Sequence, residues 1–117
     1  MSLVFTAICS HAPGITARAD MAAADDRDHL YAAMDDLRTR LEATRPDAVI
    51  FLAAEHFANF FMNNMPAFAI GMGETYSGPI EDPDWLRIPR REVRGAPELG
   101  LRLVREILQT VDVAYAE

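Results

Sequence analysis

Two histidines, His11 and His56, are the residues of this sequence best placed to do chemistry. Each directly follows a short apolar segment that is typical of a buried β-strand. The carboxyl ends of parallel strands meet at one edge of a sheet, and ligands bind at that edge in open α/β folds. Imidazole is a good ligand for iron, zinc, copper and nickel. The two histidines therefore predict a shared metal site.

The pattern also has a simpler interpretation, in which each histidine caps a strand or bonds a loop carbonyl. Spacing alone slightly favours that interpretation. A pair of histidines plus one carboxylate, with coordination positions left open, is the ligand set of non-haem Fe(II) oxygenases. Glu55 precedes His56, and we expect it either to act as a base or to orient the loop.

An aromatic cluster follows His56, with two methionines beside it: Phe57, Phe60, Phe61, Met62 and Met65. Such a cluster is more often core than pocket wall. Beside a metal it would form the apolar wall that a planar aromatic substrate needs, so we consider the three phenylalanines candidates for substrate binding.

Other reactive residues fit ordinary structural roles. His29 is expected to face solvent from a helix, and Cys9 to be a small buried apolar residue. Gly71–Met72–Gly73 is too short for a dinucleotide-binding fingerprint. Four arginines are expected to solvate a long loop, with a carboxylate clamp as the minor alternative: Arg87, Arg90, Arg91 and Arg94.

The elements that would position the histidines form an α/β pattern. Residues 4–10 and 48–54 are predicted to be parallel strands that enclose a helix, a βαβ unit. Four residues at helical spacing mark that helix: Leu30, Met34, Leu37 and Leu41. We expect a mostly parallel sheet flanked by helices.

The remaining chain adds two strands and a helix to this pattern. Residues 67–72 and 110–116 are predicted strands, and a helix is expected to begin at Pro97. Leu101, Val104 and Leu108 mark one face of that helix, joined by Leu103 and Ile107. Residues 73–95 lack periodicity and are predicted to form a long loop, a kind of segment that is usually functional or mobile.

Composition narrows the class of protein. The chain has 117 residues, half of them apolar, and a formal net charge of −7. This charge argues against a nucleic-acid or anionic-membrane partner, because there is no basic stripe to neutralise phosphates. A single cysteine, and no visible signal peptide or membrane span, predict a cytoplasmic protein.

Several of these motifs in combination resemble the amino-terminal part of the class III extradiol ring-cleavage dioxygenases. They are Ser10-His11-Ala12-Pro13, Glu55-His56 with Phe60-Phe61, and Met65-Pro66-Ala67-Phe68 leading to Gly71-Met72-Gly73. The resemblance covers residues 4–117. It implies an Fe(II) site in which His11 and His56 are two of three ligands, a catecholic substrate and O₂.

The resemblance also implies parts that this sequence lacks. In the family the third ligand is a glutamate much nearer the carboxyl end, and the acid/base histidines lie beyond the position of Glu117. We therefore expect residues 1–117 to be either a single domain or an amino-terminal fragment. We also expect a homo-oligomer or association with a further subunit.

Two alternatives stay open from the sequence. One is a shortened homologue that serves as a binding or structural module without catalysis. The other is a zinc-dependent hydrolase, in which Glu55 or Glu74 would have to be the third ligand.

Overall fold

The computed structural model describes residues 2–117, which divide into two compact units. The first unit comprises the described residues up to Ile50 together with Asp82–Ile88, and the second comprises Phe51–Glu81 and Pro89–Glu117. The first unit is helical and the second contains both helix and sheet. The predicted α/β class is confirmed.

The first unit has three helices and one 3₁₀ turn. They are α1 (Gly14–Ala17), the 3₁₀ turn (Ala19–Met21), α2 (Ala24–Thr44) and α3 (Pro83–Leu86). Helix α2 confirms the predicted helix, with Asp25 and Asp26 in its first turn, where the helix dipole favours acidic groups. It ends where Arg45 adopts a left-handed conformation, directly before Pro46.

Short helices are held in this unit by side-chain contacts. The Tyr31 hydroxyl of α2 donates to the Ile15 carbonyl of α1 at 2.9 Å. Asp82 caps α3, because its Oδ1 accepts the Asp84 N–H at 3.0 Å. Leu86 of α3 is buried.

An ion pair between Asp20 and Arg87 gives the first unit a pH-dependent contact. Arg87 Nη1 lies 3.1 Å from Asp20 Oδ1. A hydrogen bond from its own backbone N–H, and then the Arg87 guanidinium, lower the pKa of Asp20 below its ordinary value. A carboxyl whose pKa is lower in the folded state than in the unfolded chain stabilises the folded state at pH values above the pKa of the unfolded chain. This stabilisation is lost as the pH falls through the pKa of the folded state.

We expect the Asp20→Asn variant to unfold more readily than the parent at pH 7. The difference should shrink as the pH falls through about 4 and below, because the carboxyl of the unfolded chain is then largely protonated. Both side chains are more than half exposed, so the effect should be small and reduced by salt. Urea unfolding at several pH values measures it, and a difference that grows towards acid pH would contradict the prediction.

The second unit has two separate pairs of strands and one helix. They are β1 (Ala69–Gly71), β2 (Thr75–Gly78), β3 (Arg91–Arg94), α4 (Pro97–Ile107) and β4 (Ala114–Ala116). β1 and β4 are parallel, with Ala69 opposite Ala114, and β2 and β3 are antiparallel, with Tyr76 opposite Val93. Strands predicted within 67–72 and 110–116 are thereby confirmed.

Helix α4 begins at Pro97 as predicted and packs on β1 through a glycine. A Cβ added at Gly100 would lie 2.9 Å from the Gly71 carbonyl oxygen, so the helix backbone approaches the strand closely. Val104 is buried beside it, but Leu101 and Leu108 are 40% and 52% exposed. The buried residues of α4 are Gly100 and Val104, so Val104 is buried as the predicted stripe requires, whereas Leu101 and Leu108 lie largely outside the buried face.

Three glycines surround the Tyr76 side chain of β2. Added Cβ atoms at Gly71, Gly73 and Gly95 would all contact its ring or hydroxyl. The hydroxyl accepts the Gly73 N–H at 2.8 Å. The Gly95 N–H donates to the Glu74 carbonyl at 2.8 Å, which continues the β2–β3 pairing past Arg94.

Three predicted segments differ in the structure. Residues 4–10 and 48–54 form no strand: Ile8 and Leu52 are 98% and 92% exposed, and neither segment has a hydrogen-bonded strand beside it. A strand needs such a neighbour, which an apolar run alone does not specify. Residues 73–95, predicted as a loop, contain β2, α3 and β3.

Over the described residues 2–117, no helix combines the length and the apolar character needed to cross a membrane.

Candidate metal centre

His11 lies on a tight turn at the start of helix α1. The Ala12 N–H donates to Ser10 Oγ at 3.3 Å, so the serine side chain closes a turn around the histidine. The Ala12 carbonyl accepts the Ile15 N–H at 3.0 Å, which joins this turn to α1. His11 is exposed and follows a segment without regular structure, so it is not at the predicted strand end.

An apolar groove of about 250 Å³ lies in the first unit, between residues 8–10 and one face of α2. Its lining residues are Ile8, Cys9, Ser10, Leu30, Ala33, Met34 and Leu37. Cys9 is exposed here, which corrects the expectation that it is buried. Residues 8–10, which precede His11, therefore lie opposite Leu30, Met34 and Leu37 of the predicted α2 stripe across this groove.

His56 belongs to the second unit and lies in a loop organised by the preceding residue. Glu55 Oε2 accepts the Phe57 N–H, and Oε1 accepts the N–H groups of Ala58 and Asn59, each at 2.7 Å. The loop thus folds back around the Glu55 carboxylate. His56 is exposed and, like His11, does not follow a strand.

The conformation of Phe57 shows how tightly this loop turns. Its φ is 58°, in the left-handed region, which costs a residue with a Cβ about 1–2 kcal/mol. The N–H groups of Asn59 first, then of Ala58 and Phe57, lower the pKa of Glu55. All these bonds engage the carboxylate oxygens, which supports the loop-orienting role of Glu55 rather than that of a base.

The aromatic cluster after His56 is largely on the surface of its unit. Phe57 and Phe61 are 53% and 56% exposed, and Phe60 is half-buried. The sequence pattern favoured a core, and the structure does not place them in one.

The other candidates have structural surroundings. His29 is exposed on α2, as predicted. Arg87 pairs with Asp20 in the first unit, whereas Arg91 and Arg94 are exposed residues of β3 in the second unit. The four arginines therefore do not form one cluster within a unit.

The two histidines predicted as metal ligands lie in different units, His11 in the first and His56 in the second. Within residues 2–117, no three His, Cys, Asp or Glu side chains come together as a metal-binding group. Glu74, the alternative third ligand, is exposed in the second unit. The donor chemistry of His11 and His56 fits two positions of an iron site, and the described residues supply no third.

Ser10 was not predicted to be a site residue, but its side chain closes the turn that carries His11. A serine hydroxyl can accept the backbone N–H of the residue two positions later and so close a turn, and a nearby proline favours such a turn. This pattern, Ser10 followed by Pro13, could have indicated the role of Ser10. The role of Glu55 as a backbone acceptor has no comparable signal, because glutamate is not a typical loop-closing residue.

A family comparison identifies the class of protein. The family described as "Catalytic LigB subunit of aromatic ring-opening dioxygenase" matches residues 5–116, nearly the whole chain. The chain belongs to this family, which bears out the resemblance to class III extradiol dioxygenases. The family is generally metal-dependent.

A curated relative carries a similar segment. The chain is 35% identical over 51 residues to a 2,3-dihydroxyphenylpropionate/2,3-dihydroxicinnamic acid 1,2-dioxygenase of Klebsiella pneumoniae (strain 342). The match covers 44% of this chain and 16% of the relative, so only a small part of the relative's length is represented. No solved structure matches the chain significantly.

Proposed function

We propose that the protein containing this chain is an Fe(II)-dependent dioxygenase that opens the ring of a catecholic compound next to the diol, using O₂. The observation that carries the proposal is the family match over residues 5–116. The name of the curated relative supports a substrate with two adjacent hydroxyls on an aromatic ring.

Within this proposal the chain provides two of the three metal ligands, His11 and His56. The exposure of both side chains supports this assignment, since a metal ion can reach them. A third ligand and the acid/base groups come from other parts of the protein, as the family resemblance implies. His11 and His56 would hold the Fe(II), which would supply the redox chemistry that a reaction between a catechol and O₂ requires.

Phe57, Phe60 and Phe61 are proposed to contact the aromatic ring of the substrate. Their partial exposure beside His56 supports this role. Apolar rings stack on a planar substrate in offset or edge-to-face geometry. They also exclude water, which strengthens the electrostatic interactions of the charged catechol oxygens.

Cellular setting and assembly belong to the same proposal. The single cysteine and the charge of −7 support a cytoplasmic protein without a nucleic-acid partner. We propose a homo-oligomer or association with a further subunit. Light scattering of the purified protein, which measures its molar mass in solution, tests this proposal.

Oxygen uptake by the whole protein tests the proposed reaction. With added Fe(II) and a set of catechols, we expect O₂ consumption and a yellow ring-opened product. A polypeptide of residues 1–117 alone should show little or no turnover, because neither a third ligand nor a general base is provided by it.

Three outcomes would change the proposal. If the whole protein turns over none of the catechols, the non-catalytic module becomes the better interpretation. If it requires zinc and hydrolyses a substrate without O₂, the hydrolase interpretation gains instead. Robust ring opening by residues 1–117 would show that Glu55, Glu74 or His29 supplies the missing chemistry.

A further inference from the structure

We propose that Glu55 is a positioning residue for His56: its carboxylate fixes the backbone of residues 56–59 and so sets the direction in which the imidazole is presented. This inference rests on the proposed function, since it takes His56 as a metal ligand. Glu55 acts here through the backbone, without contacting the metal or the substrate.

The hydrogen bonds account for both oxygens of the carboxylate. Oε2 accepts one N–H, from Phe57, and Oε1 accepts two, from Ala58 and Asn59, all at 2.7 Å. An ionised carboxylate is an acceptor only, so it can receive all three donors at once. Bonds from N–H groups to a charged acceptor are also shorter and stronger than neutral ones.

One of these bonds acts directly on the histidine. The Phe57 N–H belongs to the planar peptide unit that also contains the His56 carbonyl. When Glu55 Oε2 holds that N–H, it fixes the orientation of the peptide plane and therefore ψ of His56. The backbone on the carboxyl side of the His56 Cα is thus set by Glu55.

The backbone conformation of Phe57 indicates that its surroundings hold the loop of residues 56–59 in place. A phenylalanine disfavours φ of 58°, and such a conformation persists only where the surroundings hold it. The three bonds to Glu55 converge on residues 57–59 and supply that constraint. Without them, Phe57 should return to an ordinary conformation and rotate the peptide plane next to His56.

Glu55→Gln in the whole protein tests this role. Glutamine replaces one of the two acceptor oxygens with an NH₂ group, which is a donor. This group would face a backbone N–H, also a donor, so at least one of the hydrogen bonds to residues 57–59 would be lost. We expect Co(II), used as a spectroscopic substitute for Fe(II), to bind about tenfold more weakly, as is usual when a group that orients a ligand is lost. The visible absorption of bound Co(II) should also change, because the ligand geometry changes. Glu81→Gln, at an exposed glutamate of the same unit, is the control with the same change of charge.

A second substitution separates positioning from general destabilisation. Asparagine adopts the left-handed conformation more easily than phenylalanine. Adding Phe57→Asn to Glu55→Gln should therefore recover part of the Co(II) affinity and of the parent absorption spectrum. A role in overall stability alone would change the melting temperature and leave the Co(II) spectrum of the folded protein unaltered.

The outcomes distinguish this inference from the proposed function. If His56→Ala weakens Co(II) binding but Glu55→Gln and Glu55→Asp behave like Glu81→Gln, the positioning role is overturned and the metal role of His56 stands. If His56→Ala leaves Co(II) affinity unchanged, the metal assignment fails, and the positioning role fails with it.

Discussion

Replacing His56 with alanine is expected to reduce ring opening by the whole protein at least a hundredfold and to weaken anaerobic Fe(II) binding. Loss of a residue that merely orients a ligand costs about 10–100-fold in metal affinity or activity, and loss of the ligand itself should cost more. His11→Ala should have the same effect, because both imidazoles are proposed to hold the same ion.

The matched control is His29→Ala, at an exposed histidine on helix α2. It removes the same side chain and should leave Fe(II) affinity and oxygen uptake near the parent values. Titration with Fe(II) under anaerobic conditions and an oxygen electrode measure the two quantities. Unchanged iron affinity in both His11→Ala and His56→Ala would remove the site assignment, whatever the activity.

A second large effect is expected from Gly95→Ala, which should destabilise the second unit. The new Cβ would collide with the Gly73 carbonyl oxygen and lie 2.9 Å from the Tyr76 ring. Because one partner is backbone, relief requires the chain itself to move, which breaks the bond from the Gly95 N–H to Glu74. Overpacking of this kind costs about 1–3 kcal/mol.

Gly78→Ala provides the comparison within the same β2–β3 sheet. A Cβ at Gly78 meets nothing within 4 Å, so this variant should be near-neutral, or slightly more stable through reduced freedom of the unfolded chain. Urea unfolding followed by tyrosine and tryptophan fluorescence compares the two. Equal midpoints for both variants would show that the space around Tyr76 is less restricted than the structure indicates.

The two longer helices, α2 and α4, were predictable because their signals are local, whereas the short helix α3 lies in a segment that was predicted to be a loop. A stripe at helical spacing, acidic residues in the first turn and Pro46 at the end define α2, and Pro97 marks the start of α4. Strand pairing depends on distant partners, and here the outcome differed. The apolar runs at 4–10 and 48–54 remain unpaired in the structure, whereas the short strand β3, rich in charge, is paired with β2.

His11 and His56 remain predictions as site residues, but their surroundings differ from those that the sequence predicted. His11 and His56 were chosen because they follow apolar segments, and the structure places them on turns instead. What shapes the His56 turn is a glutamate bonded to three backbone N–H groups and a phenylalanine with positive φ. Neither residue type predicts such a conformation, so the sequence alone does not indicate it.

The parallel pairing of β1 with β4 has a consequence for the order in which the second unit assembles. Residue 69 lies opposite residue 114, so the intervening chain must close a large loop before the first bond of this ladder forms. Loop closure is an entropic cost that precedes any gain from the contact, and non-local parallel pairing is intrinsically slow. The β2–β3 pair and α4 lie inside that loop and shorten it once they are formed. We therefore expect the β1–β4 ladder to form last during refolding, and its amides to be the last of the unit to gain protection from hydrogen exchange.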